Sequence, residues 1–155
     1  MKINNYNIKE KEFRRIPFNT IKEYWIEVDH FKEPGKRIVE SAQRLGHFKT
    51  PLDSPSYQAY GAFDGDKMIG CTQLVHWQND WVRYRTVNIR EEYRGTDLGW
   101  QLIKFGLNDW ELKFNYLFGW VRNDHTQWAL KHGFTYIDNK VLDDHVGMIL
   151  DLKSL

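Results

Sequence analysis

The sequence predicts an α/β (α+β) fold, a mixed and mostly antiparallel sheet flanked by helices on both faces. Three observations lead there. Between Tyr57 and Ile89, three apolar-rich segments follow one another, separated only by the turn signals Asp64-Gly65-Asp66 and Gln78-Asn79-Asp80. From Arg94 to about Phe114, apolar residues then recur at helical spacing. Beyond them, strand, helix and two more strands follow in turn. The four prolines all lie before residue 56, so nothing breaks regular structure in the last two-thirds of the chain.

The elements follow in order. Arg14 to Phe18 is a short strand. Thr20 opens a helix with Glu23 three residues on, the pattern in which two side chains satisfy each other's free amides. Ile21, Tyr24, Trp25 and Val28 give that helix an apolar stripe. Pro34-Gly35 interrupts the chain, and a second helix runs from about Lys36 to Leu45, stopped by Gly46. Pro51 to Pro55 is a loop. Tyr57–Phe63 and Met68–Trp77 form a hairpin, and Trp81–Ile89 is the third strand of the meander.

The alternation of that third strand is broken. Val82 and Tyr84 share one parity, Val87 and Ile89 the other. One extra residue near Arg85 or Thr86, a β-bulge, returns all four to one face. The long helix after Arg94 buries Leu98, Leu102, Ile103, Leu107, Trp110 and Phe114. Gly106 in its middle costs about 1 kcal/mol relative to Ala, which close packing against a strand would explain. Tyr116–Val121 is a strand. A helix from about Asp124 to His132 ends at Gly133, with Phe134 folding back onto it. Thr135–Ile137 and Val146–Leu152 complete the sheet.

A chain of 155 residues suits one domain spanning 1–155. Lys and Arg number 22 against 21 Asp and Glu, so no general field favours nucleic acid or an anionic membrane. Cys71 is the one cysteine, which excludes an internal disulfide and suits a reducing compartment, the cytoplasm. No segment approaches the roughly 20 apolar residues that span a bilayer. The histidines show no metal-ligand spacing, so no metal is expected.

The segment from Val87 to Leu102 points to chemistry. A strand runs into a tight, Gly-containing turn that opens a long helix. The first amides of a helix lack internal partners and carry partial positive charge, and Gly lets backbone approach a ligand. Together they make an anion cradle suited to a pyrophosphate. No Gly-Lys-Ser/Thr follows, so it is not a P-loop. The turn also follows an antiparallel meander rather than the first strand of a βαβ unit, which argues against a dinucleotide fold.

The segment resembles motif A of the GNAT acetyltransferases, Arg/Gln-x-x-Gly-x-Gly/Ala after a strand reading Val-x-Val-x-Pro. Ile89 matches the last Val of the strand, Tyr93-Arg94-Gly95 the opening of the turn, and Gly99 the last Gly. Asn123 to Phe134 resembles motif B, which ends in Gly-Phe, here Gly133-Phe134. Asp97 stands at the middle Gly, Glu91 at the Pro, and Ala129 at the motif B Tyr that often protonates the leaving thiolate. The motif B Asn maps to Asn123 with one residue deleted, and otherwise to Arg122.

The resemblance implies an N-acetyltransferase that uses acetyl-CoA as cosubstrate and a primary amine of a small molecule or protein as acceptor. Dimers are common in the family. It implies that the backbone of Val87, Asn88 and Ile89 pairs with the pantetheine arm, and that the strands splay to admit it. The amides of Arg94, Gly95, Thr96, Asp97, Leu98, Gly99 and Trp100 then hold the pyrophosphate, while Asn123 and Thr126 contact the arm. An Asp97 carboxylate turned inward would weaken CoA binding. Tyr84 and His125 are the candidates for acid or base, each of which also has a plain structural reading, in the sheet and in a first helical turn. The alternative is a non-catalytic or longer-chain acyl-CoA-binding protein with the same fold.

Overall fold

The structure is a computed structural model, and it describes residues 12–17, 57–78, 80–110, 113–142 and 144–155. Among these residues seven strands form one sheet: β1 (Glu12–Arg15), β2 (Tyr57–Asp64), β3 (Lys67–Gln78), β4 (Trp81–Ile89), β5 (Tyr116–Arg122), β6 (Thr135–Leu142) and β7 (His145–Asp151). Helix α1 spans Leu98–Asp109 and α2 spans Thr126–Lys131. The two helices expected between Thr20 and Leu45 lie outside the described residues.

The strand order is β1-β2-β3-β4-β5-β7-β6. Only β4 and β5 run parallel; the other neighbouring pairs are antiparallel. The meander and the mixed sheet are thus as the sequence predicts. So is the bulge. Thr72 pairs with Val87 and Leu74 with Tyr84, so two residues of β4, Arg85 and Thr86, oppose Gln73 alone. With that extra residue, Val82, Tyr84, Val87 and Ile89 all join the core beneath α1.

Helix α1 is shorter than its apolar pattern, which ran from Arg94 to Phe114. Gly95 and Asp97 have φ of 78° and 67°, left-handed values that no right-handed helix includes. At the other end Trp110 turns extended while its amide still reaches the Gly106 carbonyl at 3.1 Å. Phe114 lies beyond the helix but still packs, its ring 5.2 Å from that of Trp110. Strand β1 starts and stops earlier than expected. The Ile16 amide bonds the Ala59 carbonyl at 2.9 Å, and Pro17 has no amide to continue the ladder. Strand β6 runs on to Leu142 through the polar stretch 138–140, where its register with β7 shifts between Tyr136 and Val141.

One face of the sheet and α1 enclose the core. Tyr60, Ile69, Leu74, Val82, Leu98, Leu102, Ile103 and Leu117 are buried there. Each such Leu or Ile contributes about 1.5–3 kcal/mol of transfer free energy. Gly106 is where the helix comes nearest: a Cβ on it would sit 2.7 Å from Leu74 Cδ1 and 2.9 Å from the Tyr60 ring. The end of α1 is pinned by Asp109, which accepts from Arg15 Nε at 2.5 Å and from the Tyr60 hydroxyl at 3.1 Å. Burial, then the neighbouring Asp109 charge, pushes the Tyr60 phenol well above its ordinary range. No described helix is long and apolar enough to cross a membrane. Cys71 is fully buried, as a small apolar side chain would be.

Candidate functional site

The site grows from the place where β4 and β5 part. They pair in parallel from Trp81 with Tyr116 to Tyr84 with Gly119, and no further. The bulge follows at once. From there Val87, Asn88 and Ile89 keep β3 on one side, opposite Thr72, Cys71 and Gly70. On the other side they have no paired strand among the described residues. Strand β5 instead continues to Arg122 paired with β7.

The chain leaves β4 through a short 3-10 turn, Glu91–Tyr93. The turn is anchored from both sides. The Tyr93 hydroxyl donates to Asp64 at 2.6 Å, and Arg90 Nε donates to the Met68 carbonyl at 2.7 Å. Thr96 is buried and donates to the Tyr93 carbonyl at 2.5 Å, while Arg94 Nε donates to the Ile89 carbonyl at 2.8 Å. Gly99 lies against β4, where a Cβ would stand 2.8 Å from Val87 Cγ1. The side chains of Thr96, Leu98 and Trp100 are buried. Residues 94–100 thus offer outward their backbone together with the exposed side chains of Arg94 and Asp97, at the start of a helix with no side-chain cap.

Asp97 occupies the left-handed position that glycine fills most easily. Its carboxylate turns toward α2, with Oδ1 3.3 Å from His132 Nε2. The approach lies off the direction of a hydrogen bond, and Nε2 has no such partner. The contact still joins the start of α1 to the end of α2. His132 also stacks on Trp100, ring centroids 4.7 Å apart. Burial lowers the His132 pKa, with Asp97 pulling the other way.

Of the two candidate acid–base residues, Tyr84 stands at the fork itself. It is 7% exposed, and its ring meets Trp128 and Phe134 edge-on at 6.2 and 6.1 Å. Burial raises its pKa far above the ordinary phenol value, so the hydroxyl stays protonated. His125 is exposed, in the 3-10 turn that leads into α2. Asn123 and Thr126 flank it, and the Asn123 amide bonds the Asp144 carbonyl at 2.9 Å. Ala129 is buried under α2, and no phenol stands there. Gly133, at φ 95°, ends α2 with its amide on the Leu130 carbonyl, and Phe134 folds back with its amide on that of Ala129. Sequence reasoning passed over the roles of Trp128 and His132, whose i, i+4 spacing was the available signal and whose rings lie 5.3 Å apart. It also passed over Arg83, a charged residue inside a central strand.

No protein-family model matches the sequence, and no curated protein matches it. Solved structures do. The PaiA N-acetyltransferase from Thermoplasma acidophilum, solved with coenzyme A, superposes with a TM-score of 0.68 at 15% identity, covering 92% of this chain and 99% of that one. A GNAT-family acetyltransferase from Staphylococcus aureus gives 0.66 at 16% identity, over 91% and 99%. A GNAT-family acetyltransferase from Elizabethkingia anophelis, solved with acetyl-CoA bound, gives 0.58 at 15%, over 92% and 98%. This chain has the GNAT acyl-CoA N-acyltransferase fold.

Proposed function

We propose that the protein is a GNAT-type acyltransferase that moves an acetyl group from acetyl-CoA to a primary amine of a small molecule or a protein. One observation carries this reading. The β4–β5 pairing stops at Tyr84 and Gly119, immediately before a bulge at Arg85-Thr86, and α1 begins against the stretch of β4 that follows. A strand edge with no paired strand among the described residues, beside a helix start with no side-chain cap, suits a ligand that joins an amide-bearing arm to a pyrophosphate.

Val87, Asn88 and Ile89 would pair with the arm, and the amides of residues 94–100 would hold the phosphates. The turn of Asp97 toward His132 supports the fit, because it takes the carboxylate toward α2. Asn123 and Thr126 would contact the arm from the start of α2. The thioester supplies an activated acetyl group: its carbon–sulfur bond breaks, a carbon–nitrogen bond forms, and the amine proton is lost as the thiol regains one. Tyr84, protonated at the fork, suits the donor role, and His125 suits removal of the amine proton. The single buried Cys71 and the balanced charge support a cytoplasmic place and no nucleic-acid partner.

Ala129 favours a second reading, a non-catalytic or longer-chain acyl-CoA-binding protein, because the usual proton donor is missing from α2. Thermal unfolding with acetyl-CoA, CoA and ADP, followed by thiol release over a panel of amines, tests both. At a hundred times its dissociation constant, a ligand stabilises by about 2.7 kcal/mol. Stabilisation by both CoA forms with thiol release supports the transferase. Stabilisation without release supports the binding protein, and no stabilisation removes both.

A further inference from the structure

The face of the sheet opposite α1 holds a feature that the acetyl-CoA reading does not use. Arg83 lies on central strand β4, between Val75 of β3 and Phe118 of β5. Tyr84, its neighbour, points to the α1 side, so Arg83 points to the other. Arg85, on the same face, follows at the bulge opposite Gln73. Two guanidinium groups thus stand side by side where β4 and β5 part. Gln73 and Phe118 beside them are fully buried.

The Nε and one terminal nitrogen of Arg83 are buried and have no hydrogen-bond partner among the described residues. The residue nonetheless keeps partial contact with solvent. Burial, then the like charge of Arg85, lowers its pKa to about 10. A buried cation without a carboxylate is costly, and buried donors without acceptors are rare enough to require a cause. The cosubstrate phosphates are not that cause, because the helix start that would hold them is across the sheet. An anion arriving on this face beside the fork would satisfy the donors.

We propose that Arg83 binds a carboxylate on the acceptor, so that the preferred acceptors are amino acids or other amines that carry a carboxylate. This rests on the acetyltransferase reading above. A planar guanidinium matches a carboxylate with two parallel hydrogen bonds. Arg83 binds and orients; the bonds made and broken at the thioester remain those already given.

The test uses the full chain with acetyl-CoA and reads thiol release over L-amino acids, their decarboxylated amines and phosphoethanolamine. Carboxylated amines should react, and decarboxylation should lower kcat/KM about 10- to 100-fold, the range expected for a charge-assisted contact. Arg83→Gln should raise KM for the carboxylated amines by a similar factor with little change in kcat, and Arg83→Lys should recover part of it. A second readout needs no turnover: N-acetylated amino acids should raise the melting temperature more than N-alkylacetamides, and Arg83→Gln should erase the difference. Arg83→Gln should fold, since it removes a half-buried charge that no carboxylate among the described residues meets, and its stabilisation by CoA should match that of the parent. Equal use of decarboxylated amines, a preference for phosphoethanolamine, or an unchanged KM in Arg83→Gln would overturn the proposal. Loss of CoA stabilisation in the parent protein would instead overturn the acetyltransferase reading.

Discussion

The Tyr84 ring lies over Gly119 at the last parallel pair of β4 and β5. A Cβ on Gly119 would come 2.7 Å from the Tyr84 hydroxyl, and closer still to the ring carbons. Both residues are central and buried, so neither can move aside cheaply. Gly119→Ala should therefore cost about 1–3 kcal/mol, the usual penalty of overpacking. Tyr84→Leu in the same chain should relieve much of it. Chemical denaturation of the two single variants and the double variant should give a coupling energy well away from zero. Additive losses would mean that the ring and the glycine do not constrain each other.

Asp97 sits in a left-handed conformation that costs a residue with a Cβ about 1–2 kcal/mol and glycine nothing. Its side chain offsets part of that through His132. Asp97→Ala keeps the strain and loses the contact, so it should be the least stable of three forms, below the parent by up to about 1 kcal/mol. Asp97→Gly loses both and should lie near or above the parent. It should also bind CoA more tightly, since one negative charge has left the neighbourhood of the proposed phosphate site. Melting curves with and without CoA check the order.

Why some of this was legible in the sequence and some was not follows from the range of the forces involved. The parity break between Tyr84 and Val87 disclosed the bulge because side-chain alternation is local. The C-terminal end of α2 was equally plain, since Gly133 needs a positive φ that few residues tolerate, whereas its start falls at Thr126, after a 3-10 turn over Asn123–His125. The length of α1 was misjudged because apolar spacing continues through Phe114 after the backbone has turned extended at Trp110, and tertiary packing rewards Phe114 either way. The Asp97–His132 contact was hidden for a different reason. It joins residues 35 positions apart through a fold that must already exist, and nothing in local spacing encodes it. Arg83 was visible as a charge in a strand, but its lack of a partner is a property of three-dimensional surroundings.

His132 makes stability depend on pH in a definite direction. Burial lowers its folded pKa below the ordinary imidazole value; Lys131 and Lys104 push the same way, and Asp97 opposes them. The unfolded chain then binds the proton more readily. Its contribution is complete above about pH 6.5 and is lost as pH falls through the lowered folded value. Melting temperatures between pH 5 and 8 should decline on the acid side, and His132→Asn should flatten that decline. Asp97→Asn should leave the decline in place or steepen it, because the one group holding the pKa up has gone.

The turn that precedes α1 depends on a hydrogen bond whose proton can be followed directly. Tyr93 donates to Asp64 at 2.6 Å, which fastens the 3-10 turn to the end of β2. That bond is the first cause raising the Tyr93 phenol to about 12, followed by burial and the Asp64 charge. A raised folded pKa means that the bond contributes fully below about pH 10, the unfolded phenol value, and is lost as pH rises toward 12. Tyr93→Phe should cost about 1–2 kcal/mol at neutral pH, because it removes one charge-assisted hydrogen bond to the Asp64 carboxylate. Asp64→Asn keeps a weaker acceptor and removes the charge, so ultraviolet titration of this variant should show one phenol ionising closer to pH 10 than in the parent. Because this turn sets where α1 begins, both variants should also lose part of their stabilisation by CoA. Retention of full CoA stabilisation in a destabilised Tyr93→Phe protein would show that the helix start holds its position without the Asp64 anchor.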